Sequence, residues 1–182
     1  MVDWTTQVPD DPRGNSLPIF RTPAARPIEA IVTSHDLIGC YTHFWHGSTV
    51  PCTLPDCEPH RDGIPYRWHA YMSAMGIQTR LHFIFEVTAL AATNFTRYRD
   101  QNGTLRGCHF IAKRWKARPN GRILIQTKPA DLAKISIPEA ADLKKCMAII
   151  WSLPENNVTS SSHHPENKMA QIDVQPQPTK PK

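Results

Sequence analysis

Apolar residues follow two different spacings along the middle of the chain. Between 80 and 88 (RLHFIFEVT), every second residue from Leu81 onward is apolar, which is the period-two pattern of a strand with one buried face. Between 89 and 100 (ALAATNFTRYRD), the apolar side chains can group on one side of a helix, and Thr88 stands where a helix cap is expected. The pattern therefore predicts a strand that passes directly into a helix.

The same criteria predict four further strands and a second helix. Turn residues such as Gly103 and Asn120-Gly121 separate these segments. The predicted strands cover 29–46 (bent near 34–36 or at Gly39), 66–75, 105–115 and 122–128, and the second helix covers about 138–152. Five strands with a helix between the third and fourth match an OB-fold β-barrel, here with an added C-terminal helix, although other small α+β folds share this order.

Composition divides the chain into three parts. Residues 1–27 carry five prolines and balanced charge, and residues 155–182 are rich in Pro, Gln and Ser. Such segments bury too little apolar surface to offset their ordering entropy, so both are predicted to be disordered. Residues 28–154 are predicted to form the domain. The sequence has no run of about 18 apolar residues and no secretory signal, which favours a cytoplasmic protein without a membrane segment.

Positive charge is concentrated in the second half of the predicted domain. The net charge is +5, and residues 97–128 contain nine Lys or Arg against the single acid Asp100. A local excess of this kind is typical of proteins with an anionic partner, of which nucleic acid is the commonest. A solvated face on a basic protein is the simpler alternative.

Three of the five cysteines and three histidines fall between residues 40 and 68. A disulfide, a metal site and chance composition are the possible reasons, and a reducing cytoplasm favours thiols over disulfides. Cys52, Cys57 and His60 form a C-x4-C-x2-H cluster, and zinc takes four such ligands in a tetrahedron. The fourth ligand is expected upstream: His43 is favoured, His46 comes second, and Cys40 is the third candidate. The loop at 40–63 is therefore predicted to bind Zn²⁺.

The number of protein ligands decides what such a metal can do. Four ligands close the site and make the metal structural, whereas three ligands and a water would allow hydrolysis, with Glu58 or Asp62 as the base. The sequence has no Gly-rich phosphate loop, nucleophile elbow or paired catalytic carboxylates. A binding protein is therefore expected rather than an enzyme, and a metal-dependent hydrolase is the third alternative.

The ligand-rich stretch also carries a family resemblance. The segment THFWHGSTVPCTLPDCEPHRDGIPYRW at 42–68, followed by LRG and RWKARPNGR, is similar to zinc-bearing OB-fold single-strand-binding proteins of phages and mobile elements. The resemblance covers about residues 30–128. It implies single-stranded nucleic acid, DNA in the first place, as the partner, and a role in replication, recombination or transfer beside other proteins of those processes. It implies His43, Cys52, Cys57 and His60 as metal ligands. The chain departs from the pattern at Ser48, where a basic residue is expected.

Proteins that bind single strands without sequence preference combine Lys and Arg along the backbone with aromatic side chains on which bases stack. Trp68 and Tyr71 have opposite strand parity, so one of them is expected in the core, and Trp68 is the stronger candidate for it. The predicted nucleic-acid-binding residues are Arg67, Tyr71, Arg106, Lys113, Arg114, Trp115, Lys116, Arg118 and Arg122. The main alternative is a zinc-stabilised protein-interaction module that binds no nucleic acid.

Overall fold

The computed structural model describes residues 17–153. None of its helices is long and apolar enough to cross a membrane. The elements are β1 (Ile19–Arg21), β2 (Ile28–Val32), β3 (Ile38–Trp45), β4 (Ser48–Pro51), α1 (Glu58–Arg61), β5 (Tyr66–Gly76), β6 (His82–Thr88), α2 (Ala89–Asn102), β7 (Cys108–Arg114), β8 (Ile123–Pro129) and α3 (Leu143–Ile150).

All eight described strands belong to one mixed sheet. Its main path runs β1-β6-β5-β2-β7-β8, and β3 pairs with both β5 and β4. The predicted strand at 29–46 is split into β2 and β3, which follow one another along the same edge of β5. The chain leaves that edge at 33–37, after the backbone N–H groups of Thr33 and Ser34 have both donated to the Ser73 carbonyl.

The mainly β class, the helix between two strands and the C-terminal helix are confirmed. The five-stranded barrel is not confirmed, because the sheet has eight strands and is open within residues 17–153. The edge of β6 is occupied by the parallel strand β1, and β8 pairs with β7 alone. The OB-fold remains a prediction.

Two predicted boundaries are wrong, and each has a local physical reason. Residues 1–27 were predicted to be a disordered arm, but Ile19–Arg21 forms β1, whose Ile19 packs into an apolar cluster and whose Phe20 ring stacks 4.8 Å from that of Phe83. The C-terminal helix begins at Leu143 rather than near 138, because the Asp142 side chain accepts the Lys145 N–H and so caps the helix there. Residues 1–16 and the predicted tail at 155–182 lie outside the described part.

The larger core lies between the sheet and α2. Phe83, Phe85 and Val87 are buried as the alternating pattern predicts, whereas Leu81, which precedes β6, is 43% exposed. The ring of Phe110 stacks on that of Phe85 at 4.8 Å and meets that of Phe95 edge-on at 5.2 Å. These aromatic contacts join β6, β7 and α2.

A second apolar cluster covers the opposite face of the sheet. Helix α3 places Leu143, Cys146 and Met147 against Tyr71 and Ile84. Since side chains alternate along a strand, Tyr71 faces this cluster while its neighbour Met72 faces the larger core. Both faces of the central strands are thus covered.

Close packing beside Trp68 explains the glycine at position 39. A Cβ on Gly39 would lie 2.0 Å from Trp68 Cζ2, and this indole packs against the larger core. We expect Gly39→Ala to lower the free energy of unfolding by about 1–3 kcal/mol, because the ring would have to move. Urea unfolding measures the effect. In a Trp68→Ala background the penalty should vanish, and a penalty of equal size there would contradict this explanation.

Candidate functional site

A β-hairpin brings the first two candidate metal ligands together. In the β3–β4 pair, His43 lies opposite Val50, so that the chain turns back and places Cys52 just beyond the hairpin. The Cys52 N–H donates to the Tyr41 carbonyl at 2.8 Å, which extends the pairing by one bond. The eight residues between His43 and Cys52 therefore form the end of β3, a tight turn and β4, as the prediction requires.

The third and fourth candidates lie on one short helical turn. Cys57 immediately precedes α1, and His60 follows three residues later, so both side chains lie on the same side of that turn. Buried Pro59 anchors the turn, and the Arg61 N–H donates to the Cys57 carbonyl at 3.0 Å. A proline near the start of a helix is favourable because its missing N–H has no helical partner there.

The ligand atoms of His43, Cys52 and Cys57 all lie within 4.8 Å of one another, which is close enough to bind one metal ion. His43 Nε2 and Cys57 Sγ are 3.4 Å apart, and both residues are 1% exposed. His43 Nδ1 lies 2.9 Å from the Ile64 carbonyl oxygen, which can only accept a hydrogen bond. Nδ1 therefore carries the proton, and Nε2 is left with its lone pair directed at the group, as in metal-binding histidines.

The other three candidate ligands, His60, His46 and Cys40, lie at different distances from this group. His60, the fourth predicted ligand, borders this group of three without belonging to it, and its Nδ1 lies 3.8 Å from Cys52 Sγ. His46 is exposed in the β3–β4 turn, where φ is 46°, and Cys40 packs in the second apolar cluster beside Tyr71. Of the three upstream candidates, the structure brings only His43 to the two cysteines.

The two thiols of the group have different proton affinities. Burial raises the pKa of the Cys57 thiol, but hydrogen bonding from the backbone of Thr53 and His60 outweighs it, and the resulting pKa lies below the ordinary value. Burial, together with the neighbouring Cys57, raises the pKa of the Cys52 thiol. The thiolate, which is the form that binds metal, is therefore favoured first at Cys57.

An arginine-lined groove adjoins the metal group. Its volume is about 1090 Å³, and His43 and the neighbouring Phe44 both belong to its wall. Four arginines line it (Arg21, Arg67, Arg114 and Arg122), whereas Glu86 is the single acid among the described lining residues. Burial lowers the pKa of His69 in the same groove, so His69 is neutral at pH 7 and the arginines carry the positive charge.

The predicted nucleic-acid-binding residues are divided between the groove and other places. Arg67, Arg114 and Arg122 line the groove. Arg114 also donates from Nε to the Thr22 carbonyl at 2.7 Å and from Nη1 to the Gly121 carbonyl at 3.1 Å, which holds the β7–β8 loop against the start of the domain. Arg106 is outside the groove and donates from Nη1 to the Thr33 carbonyl at 2.5 Å.

The prediction that Tyr71 stacks on a base is wrong for this structure. Tyr71 is 1% exposed because α3 covers it, and the Trp151 ring meets it edge-on at 5.5 Å. Trp68 is partly buried against the larger core, as expected. Trp68 and Tyr71 are therefore both occupied by packing, whereas Tyr66 at the start of the same strand is 49% exposed.

Exposed groups instead cluster in the β7–β8 loop. Trp115 is 55% exposed, and Lys116 and Arg118 are exposed beside it. The same loop supplies Pro119 to Arg122 to the groove wall. Lys113 is exposed on β7 just before the loop.

Three groove residues were missed by sequence reasoning. Arg21 lies in the segment predicted to be disordered, and Glu86 lies in β6, whose alternating apolar pattern gives no sign of a functional acid. Arg21 donates from Nε and Nη2 to the two Glu86 carboxylate oxygens at 2.6 and 3.0 Å. Phe44 is 67% exposed and lines the groove together with His43. Strand alternation alone predicts that these two neighbouring side chains point to opposite faces of β3.

No protein family, curated protein or solved structure matches this chain. The fold and site define a mainly β protein with a His/Cys group placed to bind a metal ion beside an arginine-lined groove. The resemblance to zinc-bearing single-strand-binding proteins therefore remains a prediction based on the residues quoted for it.

Proposed function

We propose that this protein binds single-stranded nucleic acid, DNA in the first place, through the arginine-lined groove, and that a structural zinc ion fixes the wall of that groove. The observation that carries the proposal is the position of four arginines against one acid in a groove whose wall includes a metal-group histidine. From the resemblance we further propose an OB-like fold and a role in replication, recombination or transfer of a mobile element, alongside other proteins of those processes.

Zinc suits the donor atoms better than other common ions do. Thiolate and imidazole ligands in a tetrahedral arrangement are typical of zinc, whereas magnesium and calcium take oxygen. A tetrahedral zinc ion separates a sulfur ligand from a nitrogen ligand by about 3.5 Å. The Cys57–His43 distance of 3.4 Å and the Cys52–His60 distance of 3.8 Å are close to that value. We therefore propose His60 as the fourth ligand, which closes the site and leaves no position for catalytic water.

The groove has the two ingredients that a sequence-tolerant strand binder needs. The arginines can follow phosphates, and the exposed ring of Phe44 in the wall offers a face for a base. Trp115 in the adjoining loop offers a second aromatic face. Each such stack contributes about 1–3 kcal/mol with every type of base, which favours binding with little sequence preference.

The test measures affinity and salt dependence together. Fluorescence anisotropy with a labelled oligothymidylate of about 12 nucleotides suits the usual site size. We expect the Arg67→Ala/Arg122→Ala variant to bind at least about tenfold more weakly, because two charged contacts are lost. The slope of log K against log salt is negative, and its magnitude should decrease by about 1.4, since each single-strand phosphate contact contributes about 0.7.

A matched control changes the net charge equally on another face. Lys144 and Lys145 are exposed on α3 and lie outside the groove, so Lys144→Ala/Lys145→Ala should change affinity much less. Equal weakening in both double variants would reduce the proposal to nonspecific attraction by net charge. Wild-type protein that shows no salt-dependent binding would contradict it altogether.

A second candidate function rests on a separate aromatic patch beside the metal loop. Tyr41 and Tyr66 are 48% and 49% exposed and meet edge-on at 5.1 Å, and Leu54 of the loop is 61% exposed. Apolar groups exposed in this way are typical of protein-interaction surfaces. If this is the main function, Tyr41→Ala should abolish capture of a protein partner, and oligonucleotide binding should be absent from the wild type.

A further inference from the structure

A smaller cavity continues from the arginine-lined groove. Its volume is about 290 Å³, which is the space of about ten liquid water molecules. Arg21, Thr49 and Glu86 line both the groove and this cavity, so the two spaces meet at these residues. The Arg21 guanidinium spans the junction, since Nη2 donates to Thr49 Oγ1 at 2.7 Å while Nε donates to Glu86.

The walls and the end of this cavity differ in chemistry. Strand β1, strand β4 and the end of α3 contribute apolar side chains, among them Ile19, Val50 and Trp151. The Glu86 carboxylate lies at the junction and is 5% exposed. A flat ligand with apolar faces and a polar edge matches such a space, whereas a phosphate would be repelled by the carboxylate. A nucleobase has the required combination.

A second observation marks the same end of the cavity. Tyr71 pairs with Glu86 across β5 and β6, and its ring contacts that of Trp151, so it lies directly behind two wall residues. Its buried hydroxyl has no hydrogen-bond partner among residues 17–153. Buried polar groups are nearly always paired, so this hydroxyl marks a polar region behind Glu86, although Tyr71 itself does not line the cavity.

The carboxylate determines which base edge fits. An ionised carboxylate only accepts hydrogen bonds and has about four acceptor positions, of which Arg21 fills two. Guanine presents two adjacent donors on its Watson–Crick edge, N1–H and the 2-amino group. Adenine and cytosine place a ring acceptor next to their single amino donor, and thymine flanks its one N–H with carbonyls. An edge with two donors therefore pairs best with the free side of Glu86.

We propose that this cavity takes one unstacked base from a strand bound in the groove and that Glu86 makes guanine the favoured base. The proposal rests on the proposed function and adds to it a single position of base preference. Trp151 and the apolar walls hold the faces of the base, and Glu86, positioned by Arg21, reads its edge. The rest of the groove stays tolerant of sequence, because its contacts are to backbone and to base faces.

The experiment compares labelled oligothymidylates that carry one central guanine, inosine, adenine or cytosine with the all-thymine strand. We expect the guanine strand to bind about tenfold more tightly, because a bidentate base contact discriminates by roughly that factor or more. Inosine lacks the 2-amino group and should lose most of this preference. The guanine-to-thymine affinity ratio should fall to about one in Glu86→Gln and in Ile150→Trp, which enlarges a partly buried wall residue.

The outcomes separate this inference from the proposed function. Salt-dependent binding with equal affinity for every base overturns the base cavity and leaves the groove intact. A guanine preference that inosine retains in full, or that survives both variants, also overturns it. Failure of all strands to bind overturns the proposed function as well. If either variant fails to fold, the inosine comparison on wild-type protein still decides the question.

Discussion

Replacement of Cys57 by serine is expected to release the bound metal and to destabilise the protein by several kcal/mol. Cys57 is 1% exposed and supplies one of the three ligand atoms of the group, and the surrounding backbone groups favour its thiolate, so its replacement removes a buried ligand. Structural zinc contributes about 10–16 kcal/mol to the folding of isolated finger peptides. We expect a smaller loss of stability here, because two apolar clusters also stabilise the domain. Metal analysis and urea unfolding of wild type and variant measure the two effects.

A buried cysteine away from the metal group provides the control. Cys146 is 7% exposed and packs in the second apolar cluster, so Cys146→Ser should keep one zinc per chain and cost only the burial of a hydroxyl. Oligonucleotide affinity should fall in Cys57→Ser, because His43 and Phe44 of the groove wall lie next to each other on β3. Wild-type protein without metal, or a Cys57→Ser variant with its full content, would contradict the structural-zinc proposal.

The cysteine part of the candidate metal site could be predicted because its geometry is local. Cys52, Cys57 and His60 lie within nine residues of one another, and prolines restrict the chain between them. Strand parity separated His43 from Cys40, although it did not decide between His43 and His46. That choice depends on the length of the β3–β4 hairpin, whose second strand is only four residues long and has no clear alternating pattern.

The groove could be predicted only in part because its residues come from distant segments. Arg67, Arg114 and Arg122 stand out as charges in the sequence, but their convergence with Arg21 depends on β1 pairing with β6. A three-residue strand in a proline-rich segment gives almost no periodic signal. The break between β2 and β3 likewise follows from bonds to Ser73, which is some forty residues further along the chain.

Tyr71 shows how tertiary packing can overturn an assignment made from strand parity. The parity of β5 correctly indicated that Trp68 and Tyr71 face opposite sides. The sequence carried no sign that α3 folds back over the face of Tyr71, since a helix with one apolar stripe can pack against any apolar surface. The error therefore concerned which face of β5 was free. The exposed aromatic side chains in or beside the groove are those of Phe44 and Trp115.

The second large effect is expected from Phe110→Ala, which should lower the free energy of unfolding by about 3–5 kcal/mol. Phe110 is fully buried on β7, and its ring contacts those of Phe85 on β6 and Phe95 on α2. Removal of the ring leaves a cavity between three elements, and two aromatic pairs are lost together with the apolar burial. Urea unfolding at constant zinc concentration measures the loss.

The same substitution at an exposed ring separates stability from binding. Phe44 is 67% exposed, so Phe44→Ala should change the free energy of unfolding by no more than about 0.5 kcal/mol. It should weaken oligonucleotide binding about fivefold or more, because a stacking surface is lost. Phe110→Ala should show the opposite pattern, with near-normal affinity at temperatures where the variant is folded. A large stability loss in Phe44→Ala, or a tolerated Phe110→Ala, would contradict the burial assigned to these two rings.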